Sequence, residues 1–168
     1  MAVDTVTADQ VDPEIAPLLD AMLGFRVSAD TLPTFRESTP VGDAVSTDDV
    51  ERAEHVVDEA RGIVVRVHRP RGAAGPHPCA YSIHGGGYVL GNRDMDDAKL
   101  ARWARRLGCV GVSVEYRLAP EAPYPEPLED CYAGLRWVDE HADELGVDRS
   151  RIGVAGTSAG AGLAAALA

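Results

Sequence analysis

The chain has 168 residues, of which 45% are hydrophobic and 26% are charged. This composition is typical of one folded globular domain rather than of a disordered chain or a membrane protein. Acidic side chains outnumber basic ones by 27 to 16, giving a net charge of −11. This charge argues against a nucleic-acid partner, because the phosphates of nucleic acid require clustered lysine and arginine. The scattered basic residues also argue against binding to anionic lipid.

The residues in the first part of the chain, 13–24, place apolar side chains at i, i+3, i+4, i+7 and i+8, which predicts a helix ended by Gly24. Residues 31–37 predict a second, short helix. The polar segment 38–49 is rich in Thr, Pro, Gly and Asp and predicts a linker. We therefore expect a separate N-terminal arm.

The cysteines, Cys79, Cys109 and Cys131, are spaced too widely for a disulfide framework or for the close pairs that bind zinc. The first residues are acidic and polar, whereas a secretory signal needs positive charge followed by an apolar core. The longest apolar run is too short to span a bilayer. We therefore expect a cytoplasmic protein with no membrane span.

Strand and helix patterns alternate along the rest of the chain. Helix 94–107 should face inward with Ala98, Leu100 and Ala101, and segment 118–127 should be an irregular loop because it contains four prolines. This alternation predicts an α/β fold with a mostly parallel sheet and helices on both faces. The predicted strands are 55–57 and 62–68, which form a hairpin, then 79–83, 110–114 and 151–155; the other helices are 127–145, ended by Gly146, and 159–168.

Residues 156–160 read Gly-Thr-Ser-Ala-Gly, a G-x-S-x-G run between a predicted strand and a predicted helix. A serine hydroxyl is a weak nucleophile unless it is exposed beside a base, and a sharp strand-to-helix turn exposes it. Gly156 and Gly160 leave space where a side chain would obstruct the turn. Ser158 would then lie at a helix N-terminus, which favours negative charge. The run by itself also fits a small-residue turn before a core helix.

A second glycine-rich motif follows the strand that ends at Ile83: His84, Gly85, Gly86 and Gly87. Glycines let the backbone approach a ligand and point N–H groups at an oxygen, and HGGG-type loops supply oxyanion donors in lipases and esterases. A flexible loop or a phosphate cradle is the alternative. The spacing disfavours both nucleotide-binding cradles, because it matches neither G-x-G-x-x-G nor a run ending in G-K-[ST].

Four matches in order along the chain make it resemble the hormone-sensitive-lipase-like esterases, also called α/β-hydrolase fold-3 proteins. They are residues 84–91 (HGGGYVLG), 115–121 (EYRLAPE), 124–125 (YP) and 156–160 (GTSAG). The resemblance covers nearly the whole chain and implies the α/β-hydrolase fold. Thr157 also fits, since the family has Thr and Asp versions at that position.

The resemblance implies roles for five residues of the two glycine motifs. Ser158 is similar to the nucleophile of the family. The N–H groups of Gly86, Gly87 and Ala159 are similar to its oxyanion hole. His84 is similar to the histidine that shapes the glycine loop and is not the base.

The resemblance also implies a division of the chain. Residues 1–45 resemble the family's helical cap over the active site, and residues 46–168 resemble the N-terminal half of the hydrolase core. Tyr88 and the cap would then shape the substrate pocket.

The ten residues after Ser158 contain no Asp, Glu or His, although the triad order of this fold is Ser, then Asp or Glu, then His. All five histidines precede Ser158, and His141 and Asp139, two positions apart on a helix, diverge. We therefore expect a chain truncated after the nucleophile turn, with the C-terminal half and the triad Asp and His absent. Strand 151–155 would be an open apolar edge, which predicts poor solubility of the chain alone.

These observations predict a serine carboxylesterase or lipase-like hydrolase of short to medium acyl esters that works through an acyl-enzyme. Such a mechanism needs no metal and no cofactor. The chain by itself is expected to be inactive. Two alternatives stay open: a non-catalytic ligand-binding protein on the same scaffold, and an amidase or deacetylase. The expected partner is a small-molecule ester, and the sequence leaves open a homo-oligomer or a complementing C-terminal fragment.

Overall fold

The computed structural model describes residues 10–18, 27–38 and 48–168. The chain divides into two compact units, Met1–Glu37 and Ser38–Ala168. The sequence analysis placed this boundary at residue 45, and the role of the first unit as a cap stays a prediction. The expected helix over residues 13–24 and the expected linker over 38–49 both extend outside the described residues.

The first unit contains a short helix, α1 (Leu32–Glu37), where the sequence predicts one. Ser28 and Thr31 precede it and bond to each other reciprocally. The Ser28 N–H donates to Thr31 Oγ1 at 2.9 Å, and the Thr31 N–H donates to Ser28 Oγ at 3.3 Å. These bonds satisfy backbone donors just before the helix, in the way that Ser and Thr commonly do at helix starts.

The second unit contains a five-stranded sheet in the order β1-β2-β4-β3-β5. β1 and β2 form the expected antiparallel hairpin, β2 is antiparallel to β4, and β3 is parallel to both β4 and β5. Four of the five strands therefore point the same way, as expected for a mostly parallel sheet. The strands are β1 (Val50–Asp58), β2 (Ile63–Pro70), β3 (His77–Ile83), β4 (Val110–Glu115) and β5 (Val147–Gly156).

Helices cover both faces of this sheet. They are α2 (Asp97–Leu107), α3 (Glu126–Glu140), α4 (Ala142–Leu145) and α5 (Ala159–Leu167). Leu100 of α2 packs so closely on Gly111 of β4 that a methyl group added at Gly111 would lie 2.8 Å from the Leu100 Cβ. On the opposite face, Gly134 of α3 lies against Tyr81 and Val114.

The two faces differ in polarity because side chains alternate along each strand. Val65 and Val67 of β2 belong to the main hydrophobic core. Arg66, between them, points to the α2 side, where its Nη1 donates to Asp97 Oδ2 at 2.7 Å. The α2 face of the sheet therefore carries buried ion pairs, whereas the α3 and α5 face carries the apolar core.

The predicted helix over 127–145 is interrupted in the structure. α3 ends at Glu140, and α4 begins at Ala142 and is ended by Gly146 in the left-handed conformation (φ 69°). The break lies at His141, whose ring stacks on Trp137 with its Nδ1 2.9 Å from the Trp137 carbonyl oxygen. The ring nitrogen thus competes with the His141 N–H for the carbonyl oxygen that helical hydrogen bonding uses at this position. Sequence periodicity does not reveal this break in the helix.

The predicted helix over 94–107 begins as a single 3-10 turn, Arg93–Asp96, and continues as α2. The Asn92 side chain caps this turn by accepting from the Asp94 N–H at 3.0 Å. Leu100 and Ala101 are buried as expected, whereas the inward orientation of Ala98 is wrong, because that residue is exposed.

Candidate active site

The two glycine motifs come together because β3 and β5 are neighbours in the sheet. The strands are parallel, and Ile83, the last residue of β3, pairs with Gly156, the last residue of β5. The segments that follow both strands therefore leave the sheet side by side at its carboxyl edge. This edge is where open α/β sheets bind their ligands.

Ser158 lies on a sharp turn between β5 and α5. It is exposed, and its backbone has φ 52° and ψ −118°, a conformation that residues with a side chain rarely adopt. The preceding residue is fastened to the neighbouring strand, since the Thr157 N–H donates to the Ile83 carbonyl oxygen at 3.2 Å. The turn thus holds the Ser158 side chain outward at the end of the sheet.

The glycines of the serine motif are required by close backbone contacts. A methyl group added at Gly156 would overlap the carbonyl group of Gly160. A methyl group added at Gly160 would overlap the carbonyl oxygens of Ile83 and His84. The sharp turn therefore depends on both positions lacking a side chain, as the sequence analysis expected.

The HGGG segment forms a tight turn against this serine turn. Gly86 and Gly87 have φ of 125° and 63°, and the Gly86 carbonyl oxygen accepts from the Leu90 N–H at 2.8 Å. A methyl group added at Gly85 would lie 3.4 Å from the Ser158 Cβ. The backbone of the glycine loop is therefore in direct proximity to the candidate nucleophile.

Ala159 is the first residue of α5, so its N–H has no acceptor within the helix. Together with the glycine loop, it brings backbone N–H groups to the neighbourhood of Ser158. The structure thus gathers the predicted residues Gly85, Gly86, Ala159 and Ser158 at one edge of the sheet. Their catalytic roles stay predictions.

His84 is buried beneath the loop instead of facing Ser158 as a base. Its Nδ1 lies 2.8 Å from the Gly85 carbonyl oxygen, and Tyr116 donates its hydroxyl to the His84 carbonyl oxygen at 3.0 Å. The two rings stack with centroids 4.3 Å apart. Burial lowers the pKa of His84 below its usual 6.5. A neutral, enclosed imidazole is suited to shaping the loop.

The far end of the loop is held by an ion pair. The Arg93 N–H and Nη1 both donate to Glu115 Oε2, at 3.0 and 2.9 Å. Glu115 directly precedes Tyr116, so the end of β4 holds both ends of the glycine loop.

A buried carboxylate that the sequence analysis missed anchors Arg117, directly before the proline-rich segment 118–127. Asp130 of α3 is fully buried and accepts from the Arg117 N–H at 3.1 Å, from its Nε at 2.8 Å and from its Nη2 at 2.9 Å. Arg61 Nη1 adds a contact at 3.3 Å. The sequence signal that could have revealed this buried carboxylate is an acidic residue in the apolar stripe of a helix.

The other four histidines have partners away from Ser158. His141 stacks on Trp137, which argues against its pairing with Asp139, whose carbonyl oxygen instead accepts from Arg149 Nε at 2.9 Å. The remaining contacts are His55 with Trp137, His68 with Asp97, and His77 with the Gly108 carbonyl oxygen. Tyr88 lies on the glycine loop, is 42% exposed and has a left-handed backbone (φ 66°).

A strand-turn-helix that exposes a serine beside an HGGG loop defines the α/β-hydrolase class. The family model described as "alpha/beta hydrolase fold" matches residues 80–168. The chain therefore belongs to the hormone-sensitive-lipase-like α/β-hydrolases, the fold-3 family. None of the helices in residues 10–18, 27–38 and 48–168 could serve as a transmembrane segment.

Known relatives support this assignment. Carboxylesterase NlhH of Mycobacterium tuberculosis is 38% identical over 173 residues, covering 100% of this chain and 54% of that protein. An acetyl esterase of Salmonella paratyphi B is 43% identical over 88 residues, covering 52% of this chain and 27% of that protein. The structure of a bacterial heroin esterase has a TM-score of 0.78 and 38% identity, covering 96% of this chain and 53% of that one. The chain thus spans about half the length of NlhH and of the heroin esterase.

Proposed function

We propose that this chain carries the nucleophile and the oxyanion hole of a serine carboxylesterase that acts on short to medium acyl esters. The observation that carries the proposal is the position of Ser158. It is exposed on a strained turn, at the N-terminus of α5 and against the backbone of the glycine loop. The names of the relatives, carboxylesterase and acetyl esterase, support ester substrates.

In the proposed reaction, Ser158 Oγ attacks the ester carbonyl carbon and transfers its proton to a base. The N–H groups of Gly86, Gly87 and Ala159 stabilise the negative charge on the carbonyl oxygen. The tetrahedral intermediate then collapses, the alcohol leaves with a proton, and an acyl group stays bound to Ser158. Water releases this acyl group by the same route. Loss of one oxyanion donor typically lowers the rate by about 10²–10³-fold.

We further propose that the acid and the base come from residues outside this sequence, in the order that is typical of the fold. The burial of His84 and the contacts of the other four histidines with groups away from Ser158 support this part of the proposal. The chain by itself is then expected to hydrolyse esters faintly or not at all. The first unit would supply part of a cap over the site.

The test measures p-nitrophenyl butyrate hydrolysis by the protein that is encoded by the longest reading frame containing this sequence. We expect turnover that falls by about 10⁴–10⁶-fold in Ser158→Ala. Ser150→Ala, which changes an exposed serine on β5, is the matched control and should retain the rate. The absence of turnover in the parent, with intact binding of ester analogues, would instead favour the non-catalytic alternative.

The 168-residue chain, assayed in parallel, tests the origin of the base. Turnover that is absent or faint supports a base outside this sequence. Fast turnover that depends on Ser158 would contradict that part of the proposal and leave the esterase assignment intact.

A further inference from the structure

Asp96 carries a buried carboxylate that points away from its own helix. It directly precedes α2, at the position where an aspartate usually accepts hydrogen bonds from the first turn of the helix. Its side chain accepts none from that turn, all of which lies within the described residues. It accepts instead from the hydroxyl of Ser82 on β3, whose Oγ lies 2.6 Å from Asp96 Oδ2. Asp96 therefore links α2 to the sheet instead of capping the helix.

The second oxygen of this carboxylate is also held. Lys99 of α2, the single lysine of the chain, places its Nζ 2.7 Å from Asp96 Oδ1. Both Asp96 and Ser82 are almost fully buried. An O–H···O⁻ bond of 2.6 Å has the short length of charge-assisted hydrogen bonds, which are about twice as strong as neutral ones. The bond from Ser82 is thus a strong tie within the core of the second unit.

This bond joins the two ends of the glycine loop. Ser82 is two residues before the loop, residues 84–91, and Asp96 is five residues after it. The two ends of the loop are also in backbone contact, because a methyl group added at Gly91 would overlap the Gly85 carbonyl oxygen. A displacement of the Asp96 end would therefore pass through Gly91 to Gly85 and to the N–H groups that follow.

The N–H groups of the loop must be placed accurately to stabilise an oxyanion. A donor has to lie about 2.7–3.1 Å from the oxygen on which charge develops, and a misplacement of about 1 Å can lower a rate by about 10²-fold. Gly86 and Gly87 have φ of 125° and 63°, and glycine has the widest conformational freedom of all residues. The orientation of these two residues is therefore set by contacts outside them.

We propose that Asp96 is a positioning residue, which through its bond with Ser82 holds the N–H groups of Gly86 and Gly87 in place for the oxyanion. It does not touch the substrate, and its effect on the rate rests on the proposed function. Its effect on the position of the loop does not, because the bond is present without substrate. Lys99 supplies the counter-charge that a buried carboxylate needs.

Ser113 of β4 offers a matched control for Ser82. The two serines pair directly between β3 and β4, and both are almost fully buried. Both side chains lie on the α2 face of the sheet, because the residues before and after each serine belong to the main hydrophobic core. Among the described residues, however, the Ser113 hydroxyl has no hydrogen-bond partner. Alanine at position 113 therefore removes the same atom without removing a bond to Asp96.

The first measurement is amide hydrogen exchange in the protein that is encoded by the longest reading frame containing this sequence. The Leu90 N–H reports on the loop, since it donates to the Gly86 carbonyl oxygen at 2.8 Å. We expect Ser82→Ala to speed its exchange about tenfold, because a charge-assisted hydrogen bond is lost. Ser113→Ala should leave it unchanged, and circular dichroism verifies that both variants are folded. Equal exchange in the two variants overturns the proposal.

The second measurement follows p-nitrophenyl butyrate hydrolysis by the same proteins. We expect Ser82→Ala to lower kcat about tenfold or more with KM unchanged, because the oxyanion exists only beyond the ground state. The affinity of an alkyl trifluoromethyl ketone, whose adduct with Ser158 carries an oxyanion, should fall by the same factor as kcat/KM. A smaller folded fraction would lower kcat and leave this affinity unchanged. An unchanged affinity for the ketone therefore overturns the positioning role.

A second substitution tests whether the bond between the two side chains carries the effect. Asp96→Ala should lower kcat at least as much as Ser82→Ala, because it also leaves Lys99 without its counter-charge. In the Asp96→Ala protein, Ser82→Ala should have no further effect, since the bond is already absent. Independent, multiplying effects of the two substitutions on kcat overturn the proposal. If Asp96→Ala does not fold, the comparison of Ser82→Ala with Ser113→Ala still decides the outcome.

The outcome separates this proposal from the proposed function. A parent protein that hydrolyses no ester overturns the esterase assignment, and faster Leu90 exchange in Ser82→Ala alone then still supports Asp96 as the anchor of the loop. An active parent in which Ser82→Ala and Ser113→Ala have equal kcat overturns the positioning role and supports the esterase.

Discussion

The Tyr116 hydroxyl donates a hydrogen bond to the His84 carbonyl oxygen at 3.0 Å, and the two rings stack with centroids 4.3 Å apart. Both side chains are almost fully buried. Since His84 is the first residue of the glycine loop, the position of that loop depends on a residue that follows β4. The glycine loop, which supplies the candidate oxyanion donors, is thus held in place by Tyr116 of the next motif along the chain, residues 115–121.

Removal of this hydrogen bond should destabilise the fold. We expect Tyr116→Phe to lower the free energy of unfolding by about 1–2 kcal/mol, because a buried carbonyl oxygen loses a donor while the ring stacking remains. Urea denaturation measures the change. Tyr132→Phe is the control, since Tyr132 is 54% exposed, and it should leave stability unchanged. Equal effects of the two variants would contradict a specific role for Tyr116.

Neutralising the buried carboxylate of Asp130 should destabilise the fold far more than neutralising an exposed carboxylate on the same helix. We expect Asp130→Asn to cost about 1.5–3 kcal/mol, because it weakens charge-assisted hydrogen bonds from Arg117. Glu140→Gln, which removes an exposed ion pair with Arg136, should have no measurable effect. Chemical denaturation of both variants at one pH makes the comparison. An Asp130→Asn variant with the same free energy of unfolding as the parent would mean that the proline-rich segment does not need this anchor.

Alanine substitutions at Gly153 of β5 and at Gly160 of α5 should differ in their effect on stability. Gly160→Ala would place a methyl group against two carbonyl oxygens and should cost about 1–3 kcal/mol or prevent folding. Gly153→Ala would place it 3.9 Å from the nearest atom, the Cys79 carbonyl oxygen, and should be tolerated. Thermal unfolding of the pair tests this difference. Equal melting temperatures would show that the turn relaxes easily.

The three thiols should be unreactive in the folded protein. Cys79, Cys109 and Cys131 are 4%, 6% and 0% exposed, and burial raises the pKa of each, to about 12 for Cys79. The reactive thiolate is therefore scarce at neutral pH. We expect Ellman's reagent to label them slowly in buffer and to label all three rapidly in guanidinium chloride. A Ser150→Cys variant, with an exposed thiol, should add one fast-reacting group.

Stability should fall on mild acidification because of His84. Burial holds its native pKa below 6.5, so below about pH 6.5 the unfolded chain binds a proton that the folded chain does not. This contribution is present above pH 6.5 and is lost as the pH falls towards the lower native pKa. One such group gives at most about 1.4 kcal/mol per pH unit.

Urea unfolding between pH 7.5 and 5 measures this dependence. His84→Gln should flatten the slope relative to the parent at the same pH values. His55→Gln, which changes a histidine of β1 away from the loop, controls for the substitution itself. An unchanged slope in His84→Gln would assign the proton uptake to another group.

The sequence by itself determined the local parts of this protein. The turn at residues 156–160 and the glycine loop could be predicted from the sequence, because neighbouring residues meet their requirements. These requirements are a strand before the motif and glycines where the backbone must pass closely. The β1-β2 hairpin and the helix stop at Gly146 could be predicted for the same reason.

Only the tertiary structure decided which of these parts meet. The two motifs are more than 65 residues apart, and they touch because β3 pairs with β5 in a register that aligns Ile83 with Gly156. The bonds of Arg117 to Asp130 and of Tyr116 to His84 likewise depend on packing between distant segments. Such contacts are selected by burial and shape across the whole core, for which periodicity along the chain carries no signal.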